Sequence, residues 1–210
     1  MCVVGRRLRG SDAGRRYEFG LSAAVWALWI SYQAYDFSQH GFDPRHTLPL
    51  QMCDFTAVFA ALAFALQRRE LQSMVYFWGL ALGSQAVITP DLVGGPGSLA
   101  FWWFWLYHLF VVGAGVYVVA VHGFRPNWKD LRFAIAMGVV YVAAMFTIDA
   151  MFGLNYGYVG NFTPSRPTLL DVLGPWPLRV VFMALLGAGA MTVLWLPWRL
   201  AATGLNASEG

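Results

Sequence analysis

The stretch AFWWFWLYHLFVVGAGVYVVAV, residues 100–121, decides the fold of this chain. It contains no Asp, Glu, Lys or Arg, and His108 is its one ionisable side chain apart from tyrosine. A helix needs about 20 consecutive apolar residues to cross the hydrocarbon core of a bilayer. The stretch therefore predicts a transmembrane helix with a histidine inside it.

The rest of the 210-residue chain has the same character. Hydrophobic residues make up 58% of it, charged residues 12%, and the mean hydropathy is +0.52, which lies outside the range of ordinary soluble domains. Six apolar segments are bounded by charge, Pro or Gly, at residues 17–35, 48–66, 72–88, 100–121, 131–151 and 176–198. We therefore predict an all-α membrane protein, a bundle of six transmembrane helices.

The distribution of positive charge predicts the orientation of this bundle. Lys and Arg concentrate in cytoplasmic loops, and 11 of the 14 fall on one predicted side, leaving Arg45, Arg166 and Arg179 on the other. We predict a basic cytoplasmic tail at 1–16, one six-helix domain at 17–198 and a cytoplasmic tail at 199–210. In a soluble protein a pI near 9.0 can indicate nucleic acid binding; here we expect the lipid bilayer as partner and no nucleic acid.

Two local features refine this organisation. Pro49 suits the first turn of the second helix, where its missing N–H costs nothing. The loop at 153–175 is long, and its residues 155–161, NYGYVGN, are rich in amides, tyrosines and glycines. Long loops without regular structure are often functional lids, and the aromatic content favours a packed cap.

Polar side chains inside the predicted spans are the candidates for function, because lipid makes their burial costly unless they face a partner or a cavity. All belong to the half predicted to face outside: Gln51, Cys53, Asp54, Gln85, His108 and Asp149 in the spans, with Asn155 and Asn161 in the cap. At about 1.5 Å of rise per residue, Cys53 lies about 6–8 Å below the start of its helix and His108 about 12 Å below its own. A modest tilt or offset of the helices would be enough to bring the two together.

A thiol and an imidazole together are suited to nucleophilic catalysis. The histidine removes the thiol proton, and the thiolate attacks an ester or thioester carbonyl. Candidates to orient the imidazole or stabilise the oxyanion are Asp54, Asp149, Asn155 and Asn161, while Gln51 and Gln85 either support the site or bridge helices. Because Cys2 and Cys53 fall on opposite predicted sides and no Cys/His metal signature exists, we expect no disulfide, metal or cofactor.

The same residues also fit other roles. A lone cysteine in a helix is often a small packed hydrophobic residue, and Asp54 and Asp149 lie close enough to helix ends to be solvated. The second functional hypothesis is a transporter or small-molecule-binding protein, with Asp54, Gln85, His108 and Asp149 lining a cavity open to the outside. No inverted repeat or discontinuous helix is visible, which argues against the common transporter designs.

Three stretches resemble a known family. They are LPLQMCD at 48–54, Tyr107-His108, and Asn155-Tyr156 followed by PTLLDVLGPWP at 167–177. In combination they are similar to the YwaF family of bacterial integral membrane proteins, to which the eukaryotic transmembrane protein 164 is related. The resemblance covers most of the chain, from the first predicted helix to the last.

The resemblance implies a six-helix enzyme of the bacterial cytoplasmic membrane that transfers acyl groups between lipids, with phospholipid or lysophospholipid substrates. It implies that Cys53 is the nucleophile and His108 the base. The chain departs from the family pattern at Gln51, where a histidine is common, and at Leu178-Arg179, where aromatic residues are usual. The first departure removes a second histidine from the site, and the second alters its lipid-facing entrance.

Overall fold

A computed structural model describes residues 1–90, 92, 94–161 and 172–207 of the chain, with side chains up to residue 201. Within these residues the regular structure is helical and no strand occurs, which confirms the predicted all-α class. The second half of the long loop, with Arg166 and the PTLLD part of the family motif, lies outside the described residues.

Six long helical units follow one another in the described chain, and each coincides with a predicted apolar segment. The helices are α1 (Cys2–Leu8), α2 (Asp12–His40), α3 (Met52–Leu66), α4 (Arg69–Phe77), α5 (Gly83–Ile88), α6 (Leu99–Ala120), α7 (Trp128–Phe152) and α8 (Leu178–Ala207). A π-helical turn, Trp78–Leu82, joins α4 to α5 as one rod, and a 3₁₀ turn, Tyr156–Tyr158, follows α7. Helix α6 departs from its predicted segment by one residue at each end.

Three of the described helices are long and apolar enough to cross a membrane: α6, α7 and the part of α8 from Leu178 to Ala201. Helix α3 has 15 residues, fewer than the about 20 that a full crossing needs. Helix α2 is long enough but too polar, and the rod of α4 and α5 is divided by its π turn. The chain is therefore a helical membrane protein with three clear candidate spans.

Helix α3 lies at the centre of the bundle, with α2, α4 and α6 packed around it. Its buried residues are mostly small, namely Ala57, Ala60, Ala61 and Ala63, with Phe64 at its far end. Small side chains let helices approach closely in a membrane protein. By contrast, α6, α7 and α8 expose large apolar side chains such as Leu106, Leu109, Val139, Leu185 and Val193, a surface suited to lipid.

Helix α3 begins later than predicted, so the prediction that Pro49 lies in its first turn is wrong. Gln51 is still extended, with φ −68° and ψ 149°, and its N–H donates to Asp54 Oδ2 at 3.0 Å. A carboxylate at the third helical position that accepts from the residue before the helix fixes the start there, and Pro49 keeps Leu48 extended. Cys53 is therefore the second residue of α3 and lies at its very start.

Residues 1–16, predicted as a tail, are mostly helical and contain α1 and the beginning of α2. Helix α1 packs on α2 and α6. Arg6 Nε donates to Ala120 O at 2.8 Å, and Arg9 Nη2 donates to His122 O at 3.2 Å. The last carbonyls of a helix lack partners within it and carry partial negative charge. Part of the basic charge near the N-terminus therefore caps the end of α6.

Candidate functional site

Asp54 lies where α2, α3 and α6 meet, and only 4% of its surface is exposed. Its Oδ1 accepts hydrogen bonds from Trp29 Nε1 at 3.0 Å, Gln33 Nε2 at 2.9 Å and the Tyr107 hydroxyl at 3.3 Å. Its Oδ2 accepts from Gln51 N at 3.0 Å. We term these five residues the Asp54 cluster. The Asp54 carboxylate therefore joins three helices through four hydrogen bonds.

Cys53, next to Asp54, is a free cysteine of intermediate exposure. Its carbonyl oxygen accepts a hydrogen bond from the Tyr107 hydroxyl at 2.9 Å. Cys53 lies at the N-terminal end of α3, where the Asp54 N–H donates to Gln51 O at 3.0 Å. The N-terminal end of a helix carries partial positive charge, which favours a thiolate over a thiol. The position therefore suits a nucleophile.

His108 follows Tyr107 on α6 and is buried. Its Nδ1 lies 2.8 Å from Phe104 O. A carbonyl oxygen only accepts, so Nδ1 carries the proton of the neutral ring and Nε2 keeps its lone pair. In the described part of the chain Nε2 makes no hydrogen bond. Tyr107 thus connects the two residues, because its hydroxyl donates to the Cys53 carbonyl and it directly precedes His108 on α6. The Cys53 thiol and the His108 ring are not hydrogen-bonded to each other.

The described part of the predicted cap, residues 153–161, packs onto the segment that leads into α3. Tyr156 is buried, and its hydroxyl donates to Pro44 O at 2.7 Å and accepts from Leu48 N at 3.1 Å. Gln51 Oε1 accepts from Gly157 N at 2.9 Å. Gln51 therefore bridges the cap and the start of α3, one residue away from Met52 and two from Cys53.

Asp149 anchors the other end of the cap, because its Oδ1 accepts from Tyr156 N at 3.1 Å. Its second oxygen, Oδ2, and Asn155 Oδ1 are buried without a hydrogen-bond partner. Asn161 is exposed and lines a cavity beside Asp149. Among the described contacts, no hydrogen bond joins any of these three residues to Cys53 or His108.

Gln85 lies apart from the Asp54 cluster. It is exposed on α5, at the wall of a groove of about 390 Å³ between the α4–α5 rod and α8. The rest of the groove is apolar and includes Leu82, Leu185 and Gly187. The structure therefore places Gln85 on a surface suited to lipid contact.

A second buried polar cluster, at the opposite end of α2 and α3, was missed by the sequence analysis. Glu18 Oε1 accepts from His122 Nε2 at 2.7 Å and from the Tyr117 hydroxyl at 3.4 Å, and Gln67 donates to Oε2. Gln72 Nε2 lies 3.1 Å from His122 Nδ1. We term these five residues the Glu18 cluster. Glu18 is the second residue of its predicted span and His122 follows another by one, so hydropathy gave no signal that either is buried.

Comparison with known proteins assigns the family. The chain matches the model of the TMEM164 family over residues 1–195, which include Cys53, Asp54 and His108. No curated protein and no solved structure matches the chain. The family match confirms the resemblance drawn from the LPLQMCD and GPWP stretches. Because the match runs from α1 into α8 and covers nearly the whole chain, the protein belongs to the TMEM164 family.

Proposed function

We propose that this protein is a membrane-embedded lipid acyltransferase, or an acyl hydrolase when water is the acceptor. His108 Nε2 takes the thiol proton of Cys53, and the thiolate attacks the carbonyl carbon of a phospholipid acyl ester. The tetrahedral intermediate collapses to a Cys53 thioester as the alcohol leaves with the proton from His108. A lysophospholipid hydroxyl or water, deprotonated by His108, then attacks the thioester and releases the thiol.

The observation that carries this proposal is the free lone pair on His108 Nε2. Because Nδ1 is held by Phe104 O, the ring has one nitrogen left to accept a proton, as a general base requires. Cys53 complements it, since this residue of intermediate exposure lies at the N-terminal end of α3, where the helix dipole favours a thiolate. Hydrogen bonds between such groups commonly tighten only with substrate bound. Acyl transfer by this route needs no metal or cofactor.

We further propose six crossings of the bacterial cytoplasmic membrane, with both ends of the chain in the cytoplasm. The six long helical units and the 11 to 3 division of Lys and Arg support this topology. It puts the Asp54 cluster and the cap in the outer leaflet. In a background without Cys2 and Cys53, Asn161→Cys is expected to react with a membrane-impermeant maleimide in intact cells. Reaction only after permeabilisation would invert the topology.

Lipid turnover by the purified full-length protein tests the reaction. Phospholipid with a labelled acyl chain is supplied in detergent micelles together with lysophospholipid. Cys53→Ala is expected to reduce acyl transfer to the background rate because it removes the nucleophile. The matched control, Cys2→Ala, removes the other cysteine and is expected to keep full turnover.

The same variants separate the enzyme from the transporter hypothesis. If Cys53→Ala processes every acyl lipid as fast as the intact protein, acyl transfer through Cys53 is wrong. Solute flux in reconstituted vesicles that survives Cys53→Ser, without any acyl turnover, would identify a transporter.

A further inference from the structure

Helix α1 lies along the last two turns of α6. At its beginning the Met1 side chain contacts Gly113, where a Cβ would lie 2.9 Å from Met1 Cε. Near its end Arg6 Nε donates to Ala120 O at 2.8 Å. The two helices therefore run side by side in the same direction, from the level of Gly113 to the end of α6.

The length of α6 relates this contact to the bilayer. Its 22 residues rise about 33 Å, close to the about 30 Å of a hydrocarbon core, so a crossing by α6 puts its two ends near the two membrane surfaces. From Gly113 to Ala120 the helix rises about 10 Å. Helix α1 therefore begins about 10 Å inside the hydrocarbon region and reaches the membrane surface where it ends.

The residues of α1 change character along the same path. Its first half is apolar, and Val3 and Val4 are 67% and 44% exposed on the outside of the bundle. Its last turn carries Arg6 and Arg7, and Arg9 follows directly. Exposed valines suit contact with acyl chains, whereas arginines prefer the level of the lipid head groups. The sequence of α1 thus agrees with the depth that its contact with α6 gives.

The three arginines keep most of their capacity to donate hydrogen bonds. All three are exposed; Arg6 uses Nε on α6, and Arg9 uses Nη2 on His122 O at 3.2 Å. Arg7 takes part in no hydrogen bond or ion pair among the described residues. A guanidinium has five N–H donors in a planar fork that matches two oxygens of a phosphate. Three such groups within four residues form a surface suited to phosphate.

The charges nearby favour an anionic ligand. Helix α1 contains no carboxylate. In the part of the chain that the structure describes at this end, Glu18 is bonded to His122, and Glu70 and Asp130 are ion-paired with neighbouring arginines. Asp12 is exposed at the start of α2. A zwitterionic head group would bring its own ammonium group toward the arginines of α1, whereas an anionic head group adds only negative charge.

We infer that α1 binds an anionic phospholipid of the leaflet at the Glu18 end of the bundle, with Arg6, Arg7 and Arg9 donating to its phosphate and Val3 and Val4 contacting its acyl chains. Basic residues next to a membrane span attract anionic lipids in many membrane proteins. Lipid binding at α1 uses neither Cys53 nor His108, so this surface and the proposed reaction can fail separately.

Thermal unfolding of the purified full-length protein in maltoside detergent tests the surface. Phosphatidylglycerol, added in mixed micelles, is expected to raise the midpoint saturably, and phosphatidylcholine with the same acyl chains is not. Arg7→Gln removes one charge and should raise the half-saturating mole fraction about fivefold (about 1 kcal/mol). Without phosphatidylglycerol, the variant should unfold at the temperature of the intact protein, because Arg7 makes no described contact.

Two controls separate the lipid from charge in general. Arg45→Gln removes an exposed arginine that makes no described side-chain hydrogen bond or ion pair at the opposite end of the bundle, and should respond to phosphatidylglycerol as the intact protein does. Sodium phosphate, compared with sodium chloride at equal ionic strength, should give no saturable shift. A phosphate shift as large as that of phosphatidylglycerol would mean a site for free anions. Equal responses to the two lipids, or an unchanged half-saturation in Arg7→Gln, would also overturn the inference.

The depth of α1 can be measured separately. Val3→Cys, in a background of Cys2→Ser and Cys53→Ser, is labelled with a nitroxide and reconstituted in vesicles of phosphatidylglycerol and phosphatidylcholine. Dissolved oxygen should relax the label strongly and a water-soluble nickel complex only weakly, with the opposite pattern for a label at Arg45→Cys. Relaxation by nickel as strong at residue 3 as at residue 45 would place α1 in water and contradict its contact with lipid.

Discussion

Asp54 and Glu18 are both buried carboxylates that tie α2, α3 and α6 together, but they do so at opposite ends of α3 and with different partners. Asp54 accepts from the neutral donors Trp29, Gln33 and Tyr107. Glu18 accepts from His122, whose second ring nitrogen faces Gln72. In the Glu18 cluster the histidine is therefore occupied on both sides.

The histidine beside the Asp54 cluster is bonded on one side only. His108 uses Nδ1 on Phe104 O and keeps Nε2 free, and among the described residues no side chain donates a hydrogen bond to the Cys53 thiol. Two buried histidines on or next to α6 thus differ in what remains available: His122 has nothing left to exchange, whereas His108 can accept a proton. Saturation of hydrogen bonds, more than residue type, separates the Glu18 cluster from the site that we propose to be reactive.

The largest expected effect comes from changing each histidine to glutamine. His108→Gln removes the general base and should lower acyl turnover about 10²–10⁴-fold with the fold intact. His122→Gln should keep turnover per folded molecule and cost about 1–3 kcal/mol of stability, because Glu18 loses a strong donor. Turnover and the thermal midpoint are measured on both variants. The reverse pattern would assign the chemistry to the Glu18 cluster.

The next effect concerns the stability supplied by Asp54. Asp54→Ala leaves the donors of Trp29, Gln33 and the Gln51 backbone without their acceptor, although Tyr107 keeps Cys53 O, so the free energy of unfolding should fall by about 3–5 kcal/mol. Asp54→Asn keeps one acceptor oxygen and should lose clearly less. Unfolding in detergent measures both. Glu70→Gln, at an exposed ion pair, is the control and should change little; an equally small loss in Asp54→Ala would remove Asp54 from the framework of the bundle.

The smallest expected effect lies at the Glu18 end, where α1 caps α6. Arg6→Ala removes the hydrogen bond to Ala120 O and should cost about 0.3–1 kcal/mol. Arg7→Ala changes the same charge in the same helix without a described contact and should leave the thermal midpoint unchanged. Equal midpoints for the two variants would mean that α1 does not stabilise the end of α6.

The helices could be predicted from the sequence because apolar length is a local property. Residues 100–121 predicted α6 to within a residue, and the other five segments also fell on helices. The start of α3 was missed by four residues, since Pro49 is compatible with a first turn and the competing bond from Gln51 N to Asp54 was not considered. That error placed Cys53 deeper in its helix than it lies.

The candidate site was predictable in its residues but not in its contacts. Cys53, Asp54 and His108 follow from polarity inside apolar segments, yet the bond from Tyr107 to the Cys53 carbonyl joins residues far apart in sequence. The link between Gln51 and Gly157 is of the same kind. Glu18 and His122 escaped because each lies at the edge of a predicted span, where hydropathy alone cannot distinguish a solvated charge from a buried pair.

The acylation state of Cys53 tests the central claim most directly. Purified protein is incubated with phospholipid in the absence of acceptor lipid and quenched in acid. Its peptides are then analysed by mass spectrometry. We predict an acyl chain on Cys53 that hydroxylamine removes. It should accumulate in a variant in which the second step, the attack of lysophospholipid or water on the thioester, is slow. Acyl transfer at the full rate with Cys53 unmodified at every time point would contradict the account.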